Sequence, residues 1–165
     1  AEAPPHLGVD RALAGWQAWR KTRGAVLVVD AGTVLSLTRV DGEGRFRGGR
    51  LQAGLALQLR AMAAATEALP ALGQLPPHAA PWHGSWPRTT EQAMICGVSK
   101  GMAAAVAAAA LEAREADPSL RVVITGGDGR WLEPLVARAL HRFGLEIEAM
   151  PDLCLEALSQ IRPPW

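Results

Sequence analysis

The sequence predicts an α/β fold with a mixed sheet, in which a three-stranded antiparallel meander is followed by alternating helices and strands. Three short runs of aliphatic and β-branched residues follow one another closely between residues 25 and 51. Beyond them, long segments with apolar residues at helical spacing alternate with short apolar runs. Hydrophobic residues make up 49% of the 165 residues, which is enough to build the core of one domain.

The first half of the chain contains one helix and the meander. A helix is predicted over residues 11–21, because Asp10 stands in the position of an N-cap and Gly24 can end the helix. The acidic and glycine-rich stretch 41–44 favours a tight turn, and Gly48-Gly49 indicates a bulge or a close backbone approach. The three strands are predicted at residues 25–29, 34–40 and 45–51.

The second half begins with a helix over residues 54–69, which Pro70 ends. Residues 71–88, rich in Pro, Gly, His and Trp, are predicted to form a loop, and loops of this length are often functional. A long Ala-rich helix then starts at a cap on Thr89 or Thr90 and runs to about residue 116. The remaining elements are predicted as strand 121–124, helix 131–143, strand 145–149 and helix 153–161.

The turn after the first strand is a candidate phosphate site. A buried run ends in Asp30, Gly32 and Thr33, and a second strand follows without an intervening helix, unlike a dinucleotide fingerprint or a Walker loop. In the functional interpretation, Gly32 lets the backbone approach a phosphate, Thr33 donates a hydroxyl and Asp30 holds a cation. In the alternative, the segment is only the end of a β-hairpin.

The stretch Gly8-Val9-Asp10-Arg11 places a carboxylate beside a guanidinium at a helix start. Asp10 is suited to accept a proton from a hydroxyl substrate, and Arg11 presents a fork that fits a carboxylate. The alternative is that Asp10 caps the helix and pairs with Arg11 at the surface. From these residues alone, the alternative is favoured.

Two further stretches have both a functional and a structural interpretation. Thr125-Gly126-Gly127-Asp128 leaves a strand and enters a helix, so its amides suit an adenosine or a phosphate, or it is an ordinary turn with Asp128 at the cap. Thr90 is a helix cap first and a ligand group second.

Charge and composition exclude several classes of partner. Seventeen Lys and Arg balance sixteen Asp and Glu, for a net charge of +1 without long runs, so neither nucleic acid nor an acidic membrane is expected. Cys96 and Cys154 fit a reducing cytosol, and the four histidines have no metal-binding spacing. We expect no signal peptide and no stretch that is apolar for the length a bilayer requires.

Taken together and in this order, the motifs resemble those of one family, the type III pantothenate kinases, which belong to the actin-like, acetate and sugar kinase superfamily. The resemblance extends over almost the whole chain, and six motifs in the right order make it specific. It rests on Pro4 with Leu7 to Arg11, Val28 to Thr33, Asp41 and Gly44 before Gly48-Gly49, Gly54, Thr66 with Leu69-Pro70, Thr90 with Ala93, Gly97 and Gly101, Thr125 to Gly127, and Pro151 to Leu153 with Leu155 and Leu158.

The resemblance implies a ribonuclease H-like (actin-like ATPase) lobe. It implies phosphorylation of pantothenate to 4'-phosphopantothenate with ATP, the first step of coenzyme A biosynthesis. It further implies a cytoplasmic homodimer that uses a monovalent cation, potassium or ammonium, and magnesium with ATP. Pantothenate and ATP are then the small-molecule partners.

The resemblance also assigns roles to individual residues. Asp10 is the general base that deprotonates the primary hydroxyl of pantothenate, and Arg11 contacts its carboxylate. Asp30 ligates the monovalent cation, and Thr33 binds ATP. The implied substrate-binding set is Gly8, Val9, Asp10, Arg11 and Thr90, and the implied ATP-binding set is Gly32, Thr33, Gly126 and Gly127.

The chain departs from the family pattern in several places. Val34, Ser36 and Thr38 stand where the family usually shows Ala, Thr and Asp, and Ala53 and Ala157 replace an expected Pro and Gly. The family's first lobe, with an Asp-x-Gly-Asn-Thr-like turn, is expected upstream of Ala1.

These departures lead to expectations about organisation and activity. We expect residues 1–24 to form an inter-lobe arm and residues 25–165 the C-terminal lobe, with no robust kinase activity in the isolated 165 residues. The alternative is a non-catalytic, diverged or truncated family member that acts in dimerisation or regulation. A third alternative is that the chain is a different sugar or acid kinase of the superfamily; the Gly-Val-Asp-Arg match argues against it.

Overall fold

The computed structural model describes residues 7–72 and 86–161. The order of helices and strands in these ranges is the predicted one. Most of the predicted loop 71–88 lies outside the described residues, as do His6, His78 and His83. The elements are α1 (Val9–Thr22), β1 (Val26–Ala31), β2 (Val34–Val40), β3 (Phe46–Ala53), α2 (Leu55–Ala65), α3 (Thr90–Ala116), β4 (Arg121–Thr125), α4 (Gly129–His141), β5 (Ile147–Ala149) and α5 (Leu153–Gln160).

The strands form one five-stranded mixed sheet in the order β3-β2-β1-β4-β5. The β1–β2 and β2–β3 pairs are antiparallel, whereas β1–β4 and β4–β5 are parallel. The predicted meander and mixed sheet are therefore confirmed. Because β1 and β4 are parallel neighbours, the turns that follow Asp30 and Thr125 lie side by side at one edge of the sheet.

Helices cover both faces of the sheet. Leu27 and Val29 of β1 point into the larger core with α2, α3 and α4, whereas Val26 and Val28 point into a smaller core with α1 and α5. Alternate residues of a strand face opposite sides, so β1 is buried on both faces and reads as an unbroken aliphatic run. The same alternation places Asp30 on the α1 and α5 side of the sheet.

The ends of α1 differ from the prediction. The N-cap is Gly8, without a side-chain cap, so Asp10 lies inside the first turn and the predicted capping role is wrong. At the other end, Arg23 takes the left-handed conformation (φ 52°) and its N–H donates to the Trp19 carbonyl over 2.8 Å, so Gly24 is not the residue that ends the helix. Asp10 is thereby free of a capping bond in the described structure.

Several other helix and strand ends differ from the prediction by a few residues. Helix α2 ends at Ala65 because Thr66 is extended (φ −140°) and its hydroxyl donates to the Met62 carbonyl over 2.9 Å. Helix α4 begins at Gly129, two residues before the predicted start, and β5 is only three residues long. The predicted bulge is confirmed: Gly48 has φ +107°, and the β2–β3 register shifts between Thr38 and Val40.

Helix α3 corrects one expectation about apolar segments. The Thr89 hydroxyl caps it by accepting the Gln92 N–H over 3.3 Å, and its 27 residues include a window of mean hydropathy 1.7 that is long and apolar enough to cross a membrane by length and composition. The expectation that no stretch reaches that length was wrong. Within the described chain, 56% of this window is buried, and Met102, Val106 and Ala110 lie in the larger core.

Candidate functional site

The turns after β1 and β4 are packed against each other. The Asp128 N–H donates to the Ala31 carbonyl over 2.9 Å, and Gly126 has φ +90°. A Cβ on Gly126 would overlap the Ala31 carbonyl oxygen and the Asp30 carboxylate, so both conformation and space require glycine there. The structure therefore brings together Asp30 and Gly126, two of the residues predicted from sequence.

Asp10 lies close enough to Asp30 to affect its ionisation. Burial raises the pKa of the half-buried Asp30 carboxyl, and the negative charge of Asp10 raises it further. A cation beside the two carboxylates would act in the opposite direction, because it favours their charged forms. The two carboxylates therefore make this part of the sheet locally negative.

Cys154 of α5 belongs to the same neighbourhood. Its Sγ donates to the Asp10 carbonyl oxygen over 3.7 Å, and burial followed by the charges of Asp30 and Asp10 raises the pKa of the thiol. The thiol therefore stays protonated and acts as a weak donor rather than a nucleophile. Asp10, Asp30, Gly126 and Cys154 are called the acidic end below.

The Gly32–Thr33 turn is an open hairpin at the same edge of the sheet. The Gly32 N–H donates to the Val34 carbonyl over 3.3 Å, and the Gly54 N–H donates to the Thr33 carbonyl over 2.9 Å, which holds the turn in place. Thr33 is exposed, and a Cβ on Gly32 would meet no atom within 4 Å. The predicted hairpin is confirmed, and its backbone is accessible to a ligand.

Arg11 points away from the acidic end, towards β2 and β3. Its Nε donates to the Thr38 hydroxyl over 3.1 Å, its guanidinium lies 5.6 Å from the centre of the Phe46 ring, and its Nη2 lies against Gly49. In the ranges 7–72 and 86–161, no ion pair joins Arg11 to Asp10 or another carboxylate. The alternative of a simple Asp10–Arg11 surface pair is therefore not supported.

A mostly apolar groove of about 410 Å³ lies beside this guanidinium, between α1 and the β2–β3 ribbon. Helix α1 can approach β2 closely because Gly15 has no side chain; a Cβ there would lie 3.1 Å from Val40 and 3.5 Å from Thr38. Residues 11 and 10 are adjacent on the first turns of α1, so the groove and the acidic end flank the same short segment. The groove is lined by Leu7, Val9, Arg11, Ala12, Leu13, Gly15, Trp16, Thr38, Val40, Gly44, Phe46 and Ile161.

The remaining predicted residues are distributed differently. Gly8 and Val9 are exposed at the start of α1, and Gly127 is exposed with open space around it. Thr90 is exposed at the start of α3, which packs on the opposite face of the sheet from α1. The capping role lies with Thr89 rather than Thr90.

Sequence reasoning missed three residues near these groups. Thr38 follows Asp30's cross-strand partner Ser36 by two residues, so the alternation of β2 places it on the same face, a signal that was present in the sequence. Phe46 and Cys154 carried no such signal, since their positions depend on the bulge and on how α5 packs. Across the described residues, no group of three or more His, Cys, Asp or Glu side chains is placed to hold a metal ion.

Comparison with known proteins identifies the family. A sequence profile of the type III pantothenate kinase family matches residues 1–112. The chain belongs to the type III pantothenate kinase family. It is 36% identical to the type III pantothenate kinase of Synechococcus sp. strain JA-3-3Ab over 158 residues, 96% of this chain and 62% of that relative. It is 40% identical to the type III pantothenate kinase of Gloeobacter violaceus over 135 residues, 79% of this chain and 57% of that relative.

This member of the type III pantothenate kinases was also compared by length and by fold. The chain spans only about 60% of the length of the curated relatives it matches. Among solved structures, the PilM–PilN type IV pilus biogenesis complex contains a similar chain, with a TM-score of 0.52 and 17% identity over 94% of this chain and 44% of that one. That likeness concerns the fold alone, and the predicted ribonuclease H-like (actin-like ATPase) class is confirmed.

Proposed function

We propose that the full-length protein phosphorylates pantothenate to 4'-phosphopantothenate with ATP, as the first step of coenzyme A biosynthesis. The observation that supports this most is the position of α1, which places Asp10 in the acidic end and Arg11 in the lining of the apolar groove. Phosphoryl transfer needs in-line positioning and charge neutralisation more than covalent help. In this proposal the groove positions the substrate, and a cation held at the acidic end offsets the phosphate charge.

In this proposal Asp10 is the general base. It is exposed, lies in the first turn of α1 and makes no capping bond, so its carboxylate is available to a substrate hydroxyl. As the hydroxyl oxygen forms a bond to the γ-phosphorus, the bond from that phosphorus to the β–γ bridging oxygen breaks, ADP leaves and Asp10 takes the hydroxyl proton. The nearby α1 terminus, Gly8 and Val9, borders the substrate.

Arg11 recognises the other end of pantothenate. Its guanidinium stands at the side of a groove whose lining is mostly apolar, which fits a small molecule with a branched apolar body and one carboxylate. Guanidinium and carboxylate match as a charge-assisted pair. The distance between the hydroxyl and the carboxylate of the substrate then sets which acids are phosphorylated.

The nucleotide occupies the edge of the sheet formed by the two turns. The open Gly32–Thr33 hairpin and the Gly126–Gly127 turn bind ATP phosphates or adenosine, and a potassium or ammonium ion is held at Asp30. Such an ion supplies positive charge that offsets the phosphates and the paired carboxylates, and magnesium accompanies ATP. The accessible backbone of the Gly32–Thr33 hairpin and the close approach of the Asp30 carboxylate to Gly126 support this assignment.

The proposal includes a cytoplasmic homodimer. We assign the Thr90 that touches pantothenate to the second copy, because α1 and α3 of one chain cover opposite faces of the sheet. Residues 1–24 then act as the arm and residues 25–165 as the lobe. The side of α3 that remains exposed carries small residues that permit close helix contact: Ala93, Gly97, Gly101, Ala104 and Ala108.

The proposal is tested with the full-length protein, ATP, magnesium and potassium. We expect ADP release that depends on pantothenate, with a product heavier by one phosphoryl group in mass spectrometry, and no comparable release with acetate, glycerol or glucose. ADP release with one of those alternatives instead of pantothenate would assign a different kinase activity. A folded, dimeric protein without turnover of any of them would support the non-catalytic alternative.

A further inference from the structure

The Arg11 guanidinium is held by groups that do not cancel its charge. One of its five N–H donors, on Nε, is used by the neutral Thr38 hydroxyl at 3.1 Å. The Phe46 ring, 5.6 Å away, supports the cation through its face, and Nη2 rests against Gly49. Within the described parts of the chain, no carboxylate pairs with Arg11, so its terminal nitrogens keep their full attraction for an anion.

Thr38 itself is fixed in place. The residue is only 2% exposed, and its backbone is paired on both sides, with Val28 of β1 and Gly49 of β3. Gly15 of α1 lies directly above it, since a Cβ on Gly15 would lie 3.5 Å from the Thr38 methyl group. The hydroxyl is therefore presented from a rigid strand to a long side chain on the first turns of a helix.

Such an anchor has an energetic consequence for binding. A free arginine side chain has many rotamers, and part of that entropy is lost whenever a ligand immobilises the guanidinium. A side chain that is already oriented loses less on binding, so the ligand binds more tightly. A neutral anchor orients the guanidinium without competing for its charge.

We propose that Thr38 is a positioning residue for substrate recognition: its hydroxyl accepts the Arg11 Nε–H and so directs the terminal guanidinium nitrogens to the carboxylate of the substrate in the groove. This inference rests on the proposed function. It adds a residue in the middle of β2 to a site otherwise formed by α1 and the sheet edge.

The test compares Thr38→Val, which keeps the shape and removes the hydroxyl, with the wild-type full-length protein. We expect the KM for pantothenate to rise about tenfold, the effect of one lost hydrogen bond to a charged group. The kcat and the KM for ATP should change less than about twofold, because Thr38 touches neither the base nor the nucleotide turns. The inhibition constant of pantothenol, in which a primary alcohol replaces the carboxylate, should not change.

Two further substitutions of Thr38, to Ser and to Ala, and removal of a distant hydroxyl provide the controls. Thr38→Ser should restore the wild-type KM, whereas Thr38→Ala should resemble Thr38→Val, and this pair still decides the question if the valine variant does not fold. Ser99→Ala removes a fully buried hydroxyl from α3, whose partner is the Ile95 carbonyl, and should leave the KM for pantothenate unchanged.

The outcomes separate this inference from the proposed function. An unchanged KM for pantothenate in Thr38→Val, with wild-type turnover intact, would overturn the role of Thr38 alone. A parallel weakening of pantothenol and ATP would show that Thr38 is merely structural and would also overturn it. Absence of pantothenate phosphorylation in the wild type would overturn both proposals.

Discussion

The acidic end and the apolar groove lie on the two sides of one helix turn, yet they differ in charge and in polarity. At the acidic end, two carboxylates and a thiol crowd together, and the pKa values of Asp30 and Cys154 rise. In the groove, a single guanidinium stands among apolar side chains and is held by a neutral hydroxyl. The contrast separates a locally negative region, where the turns after β1 and β4 meet, from a groove whose single charged side chain is a cation.

The largest effect is expected from Asp10→Asn in the full-length protein. Because the amide cannot accept the hydroxyl proton, kcat should fall by roughly 10²–10⁴-fold, the usual contribution of a general base. The dissociation constant of ATP, measured by calorimetry, should change less than about twofold. An equal loss of ATP binding would make Asp10 a structural residue and would remove the distinction between the two regions.

A smaller effect on turnover, but a large one on substrate affinity, is expected from Arg11→Gln. Removing a charge-assisted pair costs about 1.5–3 kcal/mol, so the KM for pantothenate should rise by roughly 10- to 150-fold, mostly without a loss of kcat. Steady-state kinetics at saturating ATP measure both constants. Arg60→Gln on the exposed side of α2 is the matched control and should leave them unchanged.

Substitution of neighbouring glycines tests the packing of the acidic end. Gly126→Ala forces an L-residue to φ +90° and brings a Cβ into Ala31 and Asp30, so the free energy of unfolding should fall by roughly 2–4 kcal/mol. Gly127→Ala meets no atom within 4 Å and should change it by less than about 0.5 kcal/mol. Urea denaturation of both variants measures the difference, and equal destabilisation would contradict the packing described for Gly126.

The smallest effect concerns the ionisation of Asp30. Its folded pKa lies above the ordinary value of 3.8, so the folded state binds the proton more tightly and stability is lost as the pH rises through and above that value. Without potassium, Asp30→Asn should therefore melt slightly higher than the wild type at pH 7 and equally at pH 3. Added potassium should raise the melting temperature of the wild type but not of the variant; an identical potassium response would exclude Asp30 from the cation site.

Local sequence patterns predicted most of the fold. The unbroken aliphatic run of β1, the short polar turns and the Thr89–Pro118 limits of α3 gave the element order and the mixed sheet, because each pattern reflects burial or capping along a few residues. The ends of α1 were missed, since neither Gly8 as a cap without a side chain nor a left-handed Arg23 follows the usual preferences.

The candidate site was only partly predictable. Asp30 and Gly126 could be expected to meet once parallel pairing of β1 and β4 was assumed, and the structure places them in contact. The direction of the Arg11 side chain could not be predicted, because a guanidinium at a helix start can reach either its neighbour Asp10 or the sheet. In the structure Gly15 allows α1 to approach β2 closely, and Arg11 donates to Thr38. Long-range packing, rather than the local sequence pattern, therefore determines the direction of the Arg11 side chain.

The account assigns proton transfer to the acidic end and recognition of the substrate carboxylate to the groove. The most direct test is the ratio of the dissociation constants of pantothenol and pantothenate, measured for the wild type, Asp10→Asn and Arg11→Gln. The wild type should prefer pantothenate by about tenfold or more, since only the acid can pair with the guanidinium. Asp10→Asn should keep this ratio, whereas Arg11→Gln should bring it close to one. A ratio that survives in Arg11→Gln, or that collapses in Asp10→Asn, would contradict the assignment of the carboxylate to the groove and of proton transfer to the acidic end.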